Sequence, residues 1–276
     1  FTLPPTGEVR DGSLPGSGDF TLTNLSGDFS DFVTDPDASD TLAFSITNGA
    51  VGAFGTLSLN AGGTYSYTPD VAAVEALGVG ESDSDDFLID VVDSEGISGG
   101  SFFIVDVVGA NDRPTVAAEL SASGDGNTGA ISLNLLAGAS DRDSNDSLSV
   151  ANPIYRIDDV LTASGGSTAP GGLSLSGDTV TVDTDAAAFD DLAEGVSREI
   201  TVAFDVTDDS GQVNNAVSQT ATITVSGVND APGNIINGAT TDEDAAVPIS
   251  GLSVTDADAD EVLTLTLSVA NGTLNV

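Results

Sequence analysis

The residues best able to do chemistry lie in three short acidic stretches. Asp35-Pro-Asp37-Ala-Ser-Asp40-Thr-Leu42 returns as Asp141-Arg-Asp143-Ser-Asn-Asp146-Ser-Leu148 and again as Asp256-Ala-Asp258-Ala-Asp260-Glu261-Val-Leu263. The shared pattern is D-x-D-x-x-[DE]-x-L. A second phrase, Gly109-Ala-Asn111-Asp112-Arg-Pro114, recurs as Gly227-Val-Asn229-Asp230-Ala-Pro232. Carboxylates this close repel: at about 4 Å a like-charge pair costs on the order of 4 kcal/mol at an effective dielectric near 20. Three outcomes are open to them: they splay into water, take up protons, or share a cation. Calcium takes six to eight oxygens in irregular geometry. In an extended D-x-D segment both aspartates point the same way. The Asn-Asp-x-Pro phrase adds an amide oxygen and a carboxylate, and its proline stiffens the exit.

Other chemistries fit less well. An EF-hand needs Gly at the sixth loop position and Glu at the twelfth, and none of the clusters has both. The Gly-Gly-x-Gly-x-Asp nonapeptide of parallel β-helices is missing. The chain has no His, Cys, Met, Trp or Lys, and its five basic residues are all Arg. This removes a conventional zinc site, disulfides, Lys–Asn crosslinks and most nucleophiles and bases. Paired carboxylates can hydrolyse glycosides, but acids this abundant make such pairs uninformative, and no enzyme activity is expected. A carbohydrate platform at Tyr65 and Tyr67 is the alternative to their packing in a core. Isolated acids such as Asp19, Asp125 and Asp178 read as turn or surface residues. Asp90 and Asp205 read as strand residues facing water, and Asp93 and Asp208 as turn residues before they read as ligands.

With 44 acidic residues against 5 basic ones the formal charge is −39. Such a chain repels nucleic acid and anionic lipid, so neither is an expected partner, and cations are. Its 39% apolar residues fall in alternating runs rather than in the dispersed pattern of a disordered chain. No stretch approaches a membrane span. The start, Phe1-Thr-Leu-Pro-Pro5, resembles neither an initiator nor a signal sequence, so the chain reads as part of something longer.

The elements that must position these acids are short strands. Phe20–Asn24, Leu42–Ile46, Thr56–Leu59, Thr64–Thr68, Phe87–Val92 and Phe102–Val107 alternate polar and apolar residues, with Ala61-Gly-Gly63 as a hairpin turn and Val71–Leu77 as a helical turn. Ile131–Leu135, Leu173–Leu175, Thr179–Val182, Ile200–Val206 and Ala221–Val225 repeat the plan, with Asp185–Leu192 in place of the helical turn. Aligning Leu77 with Leu192 puts Asp90 on Asp205, Asp93 on Asp208 and Gly96 on Gly211 without a gap. The expectation is an all-β chain of tandem Ig-like β-sandwich domains, 1–113, 114–231 and 232–276, the last an N-terminal half. Its missing strands would come from a continuation of the chain or from another copy in a filament or surface layer.

Gly55-Thr-Leu-Ser-Leu59, Gly63-Thr-Tyr-Ser-Tyr-Thr-Pro69, Asp86-Phe-Leu-Ile89 and the closing Val-x-Gly-x-Asn-Asp-x-Pro resemble the VCBS repeat of large bacterial surface proteins. The second and third segments resemble the cadherin-like repeats that accompany it in RTX-type adhesins. The resemblance implies extracellular domains on the bacterial surface, each partnered by its neighbouring repeats, with Ca2+ at the junctions. It implies a first ligand set of Glu8, Glu81 or Asp83, Asn111 and Asp112 with Asp141 and Asp143. A second set is Glu119, Glu194, Asn229 and Asp230 with Asp256 and Asp258. Gly109 and Gly227 stand where a cadherin linker begins with Asp, which implies fewer than the three calcium ions of a cadherin junction. The Asp35, Asp37 and Asp40 cluster would face an upstream domain.

Overall fold

Period-two burial sets the architecture. In the computed structural model, which describes residues 6–12, 20–23, 25–37, 39–158, 160–164, 171–258 and 262–274, Asp85, Phe87, Ile89 and Val91 point inward from strand β7 (Ser82–Val92). Phe103, Val105 and Val107 do the same from β8 (Ser98–Val108), which pairs antiparallel with β7. Alternation of this kind makes one face of a sheet apolar and obliges it to pack on something.

The something is a second sheet. Beside β8 lies β1 (Gly7–Arg10), parallel to it, and then β2 (Thr21–Thr23); beyond β7 lies β4 (Ala43–Ile46), giving the order β2-β1-β8-β7-β4. A three-stranded sheet, β3 (Ser26–Asp28), β6 (Thr64–Pro69) and β5 (Gly55–Leu59), has the order β3-β6-β5. One apolar cluster joins the two sheets, with Val9, Phe44, Phe87, Phe103 and Val105 from the larger and Leu57, Tyr65 and Tyr67 from the smaller. Phe29 stacks on Tyr65 at 4.1 Å between ring centres. Tyr65 and Tyr67 are therefore core residues. The hairpin between β5 and β6 turns at Gly63, whose φ of 104° suits glycine and whose Cβ would lie 2.6 Å from an Asp28 oxygen.

The plan is executed twice. A five-stranded sheet has the order β12-β11-β15-β16-β9, from β9 (Leu120–Asp125), β11 (Ser149–Ile157), β12 (Val160–Ser164), β15 (Ser197–Thr207) and β16 (Ala216–Ser226). Strand β9 again runs parallel to its neighbour, β16. A three-stranded sheet, β10 (Ala130–Asn134), β14 (Thr179–Asp183) and β13 (Leu173–Ser176), has the order β10-β14-β13. The chain is all-β and built as β-sandwiches. The expected helical turn is α1 (Val71–Val74), capped by the Asp70 carboxylate, which accepts from the backbone N–H groups of Ala72 and Ala73. Residues 185–191 form successive turns and bends instead. After Asp230 the described residues form one small ladder, β17 (Gly233–Ile235) with β18 (Ser253–Thr255).

By contact density the chain divides into two compact units. One gathers Phe1–Ala117, Gly138–Ala151 and Asp205–Ser218, and the other Ala118–Ala137, Asn152–Phe204 and Gln219–Val276. Each candidate site below lies within one unit. Among the described residues no helix is long and apolar enough to cross a membrane.

Candidate metal centre

In the first unit the acids are delivered by strand ends and the turns after them. Asp11 follows β1, and its N–H donates to Val108 O. Glu75 caps the C-terminus of α1. Asn111 and Asp112 follow β8, while Asp208 follows β15. Asp141, Asp143 and Asp146 come from the turn before β11.

One hydrogen bond joins the two sequence phrases, and one more lies within each of them. The Asp112 N–H donates to Asp143 Oδ2 at 2.8 Å, the Asp143 N–H donates to Asp141 Oδ1 at 3.2 Å, and Asn111 Nδ2 donates to Asp112 O at 2.7 Å. The second unit repeats them. The Asp230 N–H donates to Asp258 Oδ2 at 2.8 Å, the Asp258 N–H donates to Asp256 Oδ1 at 3.2 Å, and Asn229 Nδ2 donates to Asp230 O at 2.9 Å. Each aspartate so held spends one oxygen on a backbone N–H and keeps the other for something else. In the second unit Asn127 Nδ2 also donates to Asp230 Oδ1 at 2.9 Å.

The other oxygens have no protein partner. Asp112 is fully buried with both carboxylate oxygens unpaired, and Asp11 Oδ2, Asn111 Oδ1, Asp141 Oδ2, Asp143 Oδ1 and Asp146 Oδ2 are buried and unpaired as well. The second unit adds Asp256 Oδ2 and Asp258 Oδ1. Unpaired buried carboxylates cost several kcal/mol each, of order, unless protonated or matched by a cation. Burial, reinforced by the neighbouring acids, pushes the Asp112 and Asp143 carboxyls up to about 7 and that of Asp11 up to about 6. Asp141 and Asp146 are raised too, chiefly by burial. The donor set, all carboxylate and amide oxygen with no nitrogen or sulfur ligand, is of the kind a hard cation accepts, but among the described residues only Asp35, Asp37 and Asp40 bring three carboxylate oxygens within 4.8 Å of one another.

The implied ligands are placed in four different ways. Asn111, Asp112, Asp141 and Asp143 are brought together, as are Asn229, Asp230, Asp256 and Asp258 in their own unit. Glu81 lies near enough to Asp146 to act on its charge, and its Oε2 accepts from the Gly78 N–H at 3.0 Å. Glu8 and Asp83 line an open groove with Asp106, and Glu8 pairs with Arg10 at 2.8 Å. Glu119 and Glu194 are exposed. Acids that the sequence did not single out as ligands complete the first cluster: Asp11, Glu75, and Asp208, whose Oδ2 accepts from Asn111 Nδ2 at 3.3 Å. Asp208 also makes the expected turn bond, its Oδ1 accepting from the Ser210 N–H at 2.9 Å. The signal for it lay in the same Leu77–Leu192 alignment that pairs it with Asp93.

Asp35, Asp37 and Asp40 place carboxylate oxygens within 4.8 Å of one another. The Asp37 N–H donates to Asp35 Oδ1 at 2.8 Å, the same D-x-D bond as in the other copies. These acids are solvent-accessible and can face water, so proximity alone is weaker than the orphaned oxygens elsewhere. Asp260 and Glu261 of the third copy and the Pro4-Pro5 entry lie outside the described residues.

Gly109 and Gly227 have a steric cause. A Cβ at Gly109 would lie 2.1 Å from Leu77 O, and one at Gly227 would lie 2.2 Å from Leu192 O. No side chain, aspartate included, fits there.

No protein-family profile matches the chain, and no curated protein matches it either. Among solved structures it is similar to human CDH23 EC21-23, at 17% identity and a TM-score of 0.44 over 93% of this chain and 84% of that one. The human Desmocollin-1 ectodomain gives 16% and 0.39 over 95% and 47%. Drosophila N-cadherin EC1-4 gives 17% and 0.32 over 94% and 59%. At scores this low the likeness is no argument about function.

Proposed function

We propose that the chain is a non-catalytic extender segment of a secreted bacterial surface adhesin or biofilm protein, stiffened by calcium. In this reading its domains are 1–113, 114–231 and 232–276, and the two Asn-Asp/D-x-D sites are the junctions. The observation that carries it is the set of buried oxygens without partners at those two sites. Calcium shared by Asn111, Asp112, Asp141 and Asp143, and by Asn229, Asp230, Asp256 and Asp258, would remove repulsion and hinge freedom together. Extracellular modules bind calcium at about 10⁻⁴ to 10⁻³ M, and at ten times that constant each site adds roughly 1.4 kcal/mol. Small-angle scattering in calcium and then in chelator tests it. A maximum dimension that is long in calcium and spreads into a flexible ensemble in chelator supports the reading; indifference to calcium overturns it.

A second reading is a self-assembling surface-layer or filament subunit. It is favoured by the exposure of Val262, Leu263, Leu265, Leu267 and Val269, an apolar run outside any strand that a neighbouring copy could cover. Concentration-dependent sedimentation would support it.

A further inference from the structure

The two sites share their backbone bonds but not their charge. Between the first pair of ligating aspartates stands Arg142; between the second stands Ala257. The Arg142 guanidinium is in direct contact with Glu75 Oε2, and the Glu75 side chain is 2% exposed. A buried carboxylate of this kind needs a paired positive charge. Elsewhere in the cluster, Asp11, Asp112, Asp141 and Asp143 leave oxygens unpaired. Glu75 does not share that need.

The contact is part of a wider attachment. The Ser144 N–H and Oγ both donate to Ala76 O, at 3.1 and 3.0 Å, and Asn145 Oδ1 sits 2.6 Å from where a Cβ on Gly78 would be. Residues 75–78 are thus fastened to residues 142–145 by protein groups alone. In the Leu77–Leu192 register the counterpart of Glu75 is Asp190, and the counterpart of Arg142 is Ala257. Arginine is charged at every pH a protein meets and binds carboxylates through a rigid fork, so this cation does not dissociate as calcium falls.

We propose that Arg142 is a built-in cation of the first site: it neutralises Glu75 in place of a metal ion and keeps that site assembled at low calcium, while the second site depends on metal throughout. The inference rests on the calcium reading above and adds an asymmetry to it. The first site takes one ion fewer than its acids would otherwise require, and the second loosens first as calcium is withdrawn.

The test uses the 276-residue chain and three proteins: unaltered, Arg142→Gln, and the double variant Arg142→Gln with Glu75→Gln. Melting in chelator is measured first, then calcium stoichiometry by native mass spectrometry, then amide exchange over residues 71–81. Arg142→Gln lowers the chelator melting temperature by about 5 °C, because it leaves the buried Glu75 carboxylate without its half-exposed partner. It also speeds exchange over 71–81 and binds one more calcium ion than the unaltered chain. The double variant recovers the chelator melting temperature and binds no extra ion. Equal melting, equal exchange and equal stoichiometry in Arg142→Gln and the unaltered chain overturn the proposal. If no protein binds calcium at millimolar concentrations, the calcium reading and the ion count fall together. Melting and exchange in chelator still decide whether Arg142 holds the site, so the two failures are distinguishable.

Discussion

The Asp112 backbone N–H donates to Asp143 Oδ2 at 2.8 Å, and Asp143 Oδ1 is left buried with no partner. One oxygen of Asp143 is thus structural and the other is free for a ligand. Substituting Asn keeps an oxygen for the N–H but removes the charge. Asp143→Asn therefore raises the melting temperature in chelator, by relieving repulsion, and weakens calcium binding at the first site on the order of tenfold or more, a usual cost for disturbing a metal shell. Differential scanning calorimetry and calorimetric titration read the two opposite signs. A loss of stability in chelator would mean that the charge itself holds the metal-free fold.

On the proposed calcium reading the pH dependence also changes sign with metal. In the metal-free protein the Asp112 and Asp143 carboxyls are pushed up to about 7 and Asp11 up to about 6, chiefly by burial. An unfolded aspartate titrates near 3.9. A folded carboxyl with a raised value contributes stability that is complete below the unfolded value and is lost as pH rises through the folded one. In chelator, stability falls between about pH 4 and pH 7. Calcium needs the ionised forms, so its affinity rises over the same interval and binding releases protons. Melting curves in chelator at pH 5, 6, 7 and 8 check the first trend. Titration in buffers of different ionisation enthalpy checks the second.

Gly109→Ala and Gly227→Ala drive a Cβ into a backbone carbonyl oxygen at 2.1 and 2.2 Å, where no flexible side chain can yield. Each costs about 3 kcal/mol, at the upper end of overpacking effects. Gly99 has nothing within 4 Å of its would-be Cβ, so Gly99→Ala is the control and leaves the denaturation midpoint unchanged. Urea unfolding of the three variants measures the contrast.

The Tyr67 hydroxyl donates to Asp85 Oδ2 at 2.6 Å inside the core, and Asp85 also accepts from the backbone N–H groups of Ala53 and Phe54. Asp85 is a buried carboxyl group held entirely by protein donors, unlike Asp112. Tyr67→Phe leaves a buried acceptor short of one donor and costs about 2 kcal/mol, and it leaves calcium binding unchanged. Denaturation and calcium titration on the same sample separate fold from site.

Most strands were legible because burial alternates residue by residue in Phe87–Val92, Phe102–Val107 and Ile200–Val206, and chain neighbours supply that signal. Strand β9 carries Ser, Ala and Gly where β-branched residues would mark a strand, and β11 contains Pro153 and an Asn152 at φ 51°, so neither announced itself. At the site, Asn111, Asp112, Asp141 and Asp143 stood out because each lies in a short repeated phrase. Glu75 did not, since its significance depends on Arg142, 67 residues away. From the sequence Gly109 reads only as a departure from Asp; its cause is Leu77 O, which fills the space a side chain would need.

The cluster of Asp35, Asp37 and Asp40 separates proximity from need. Its carboxylate oxygens lie within 4.8 Å of one another, yet the Asp35 and Asp37 side chains reach solvent and Asp40 Oδ1 already accepts from Ser94 Oγ at 2.9 Å. It has no buried carboxylate comparable to Asp112, which is 0% exposed. Water screens these charges well, so repulsion within the cluster is worth little and a cation gains little by relieving it. Asp35→Asn with Asp37→Asn therefore leaves the calcium stoichiometry of this chain unchanged, whereas Asp141→Asn with Asp143→Asn removes at least one bound ion. Native mass spectrometry on the two double variants decides between burial and proximity as the property that selects a site. Equal losses in both would mean that closeness of carboxylates alone is enough.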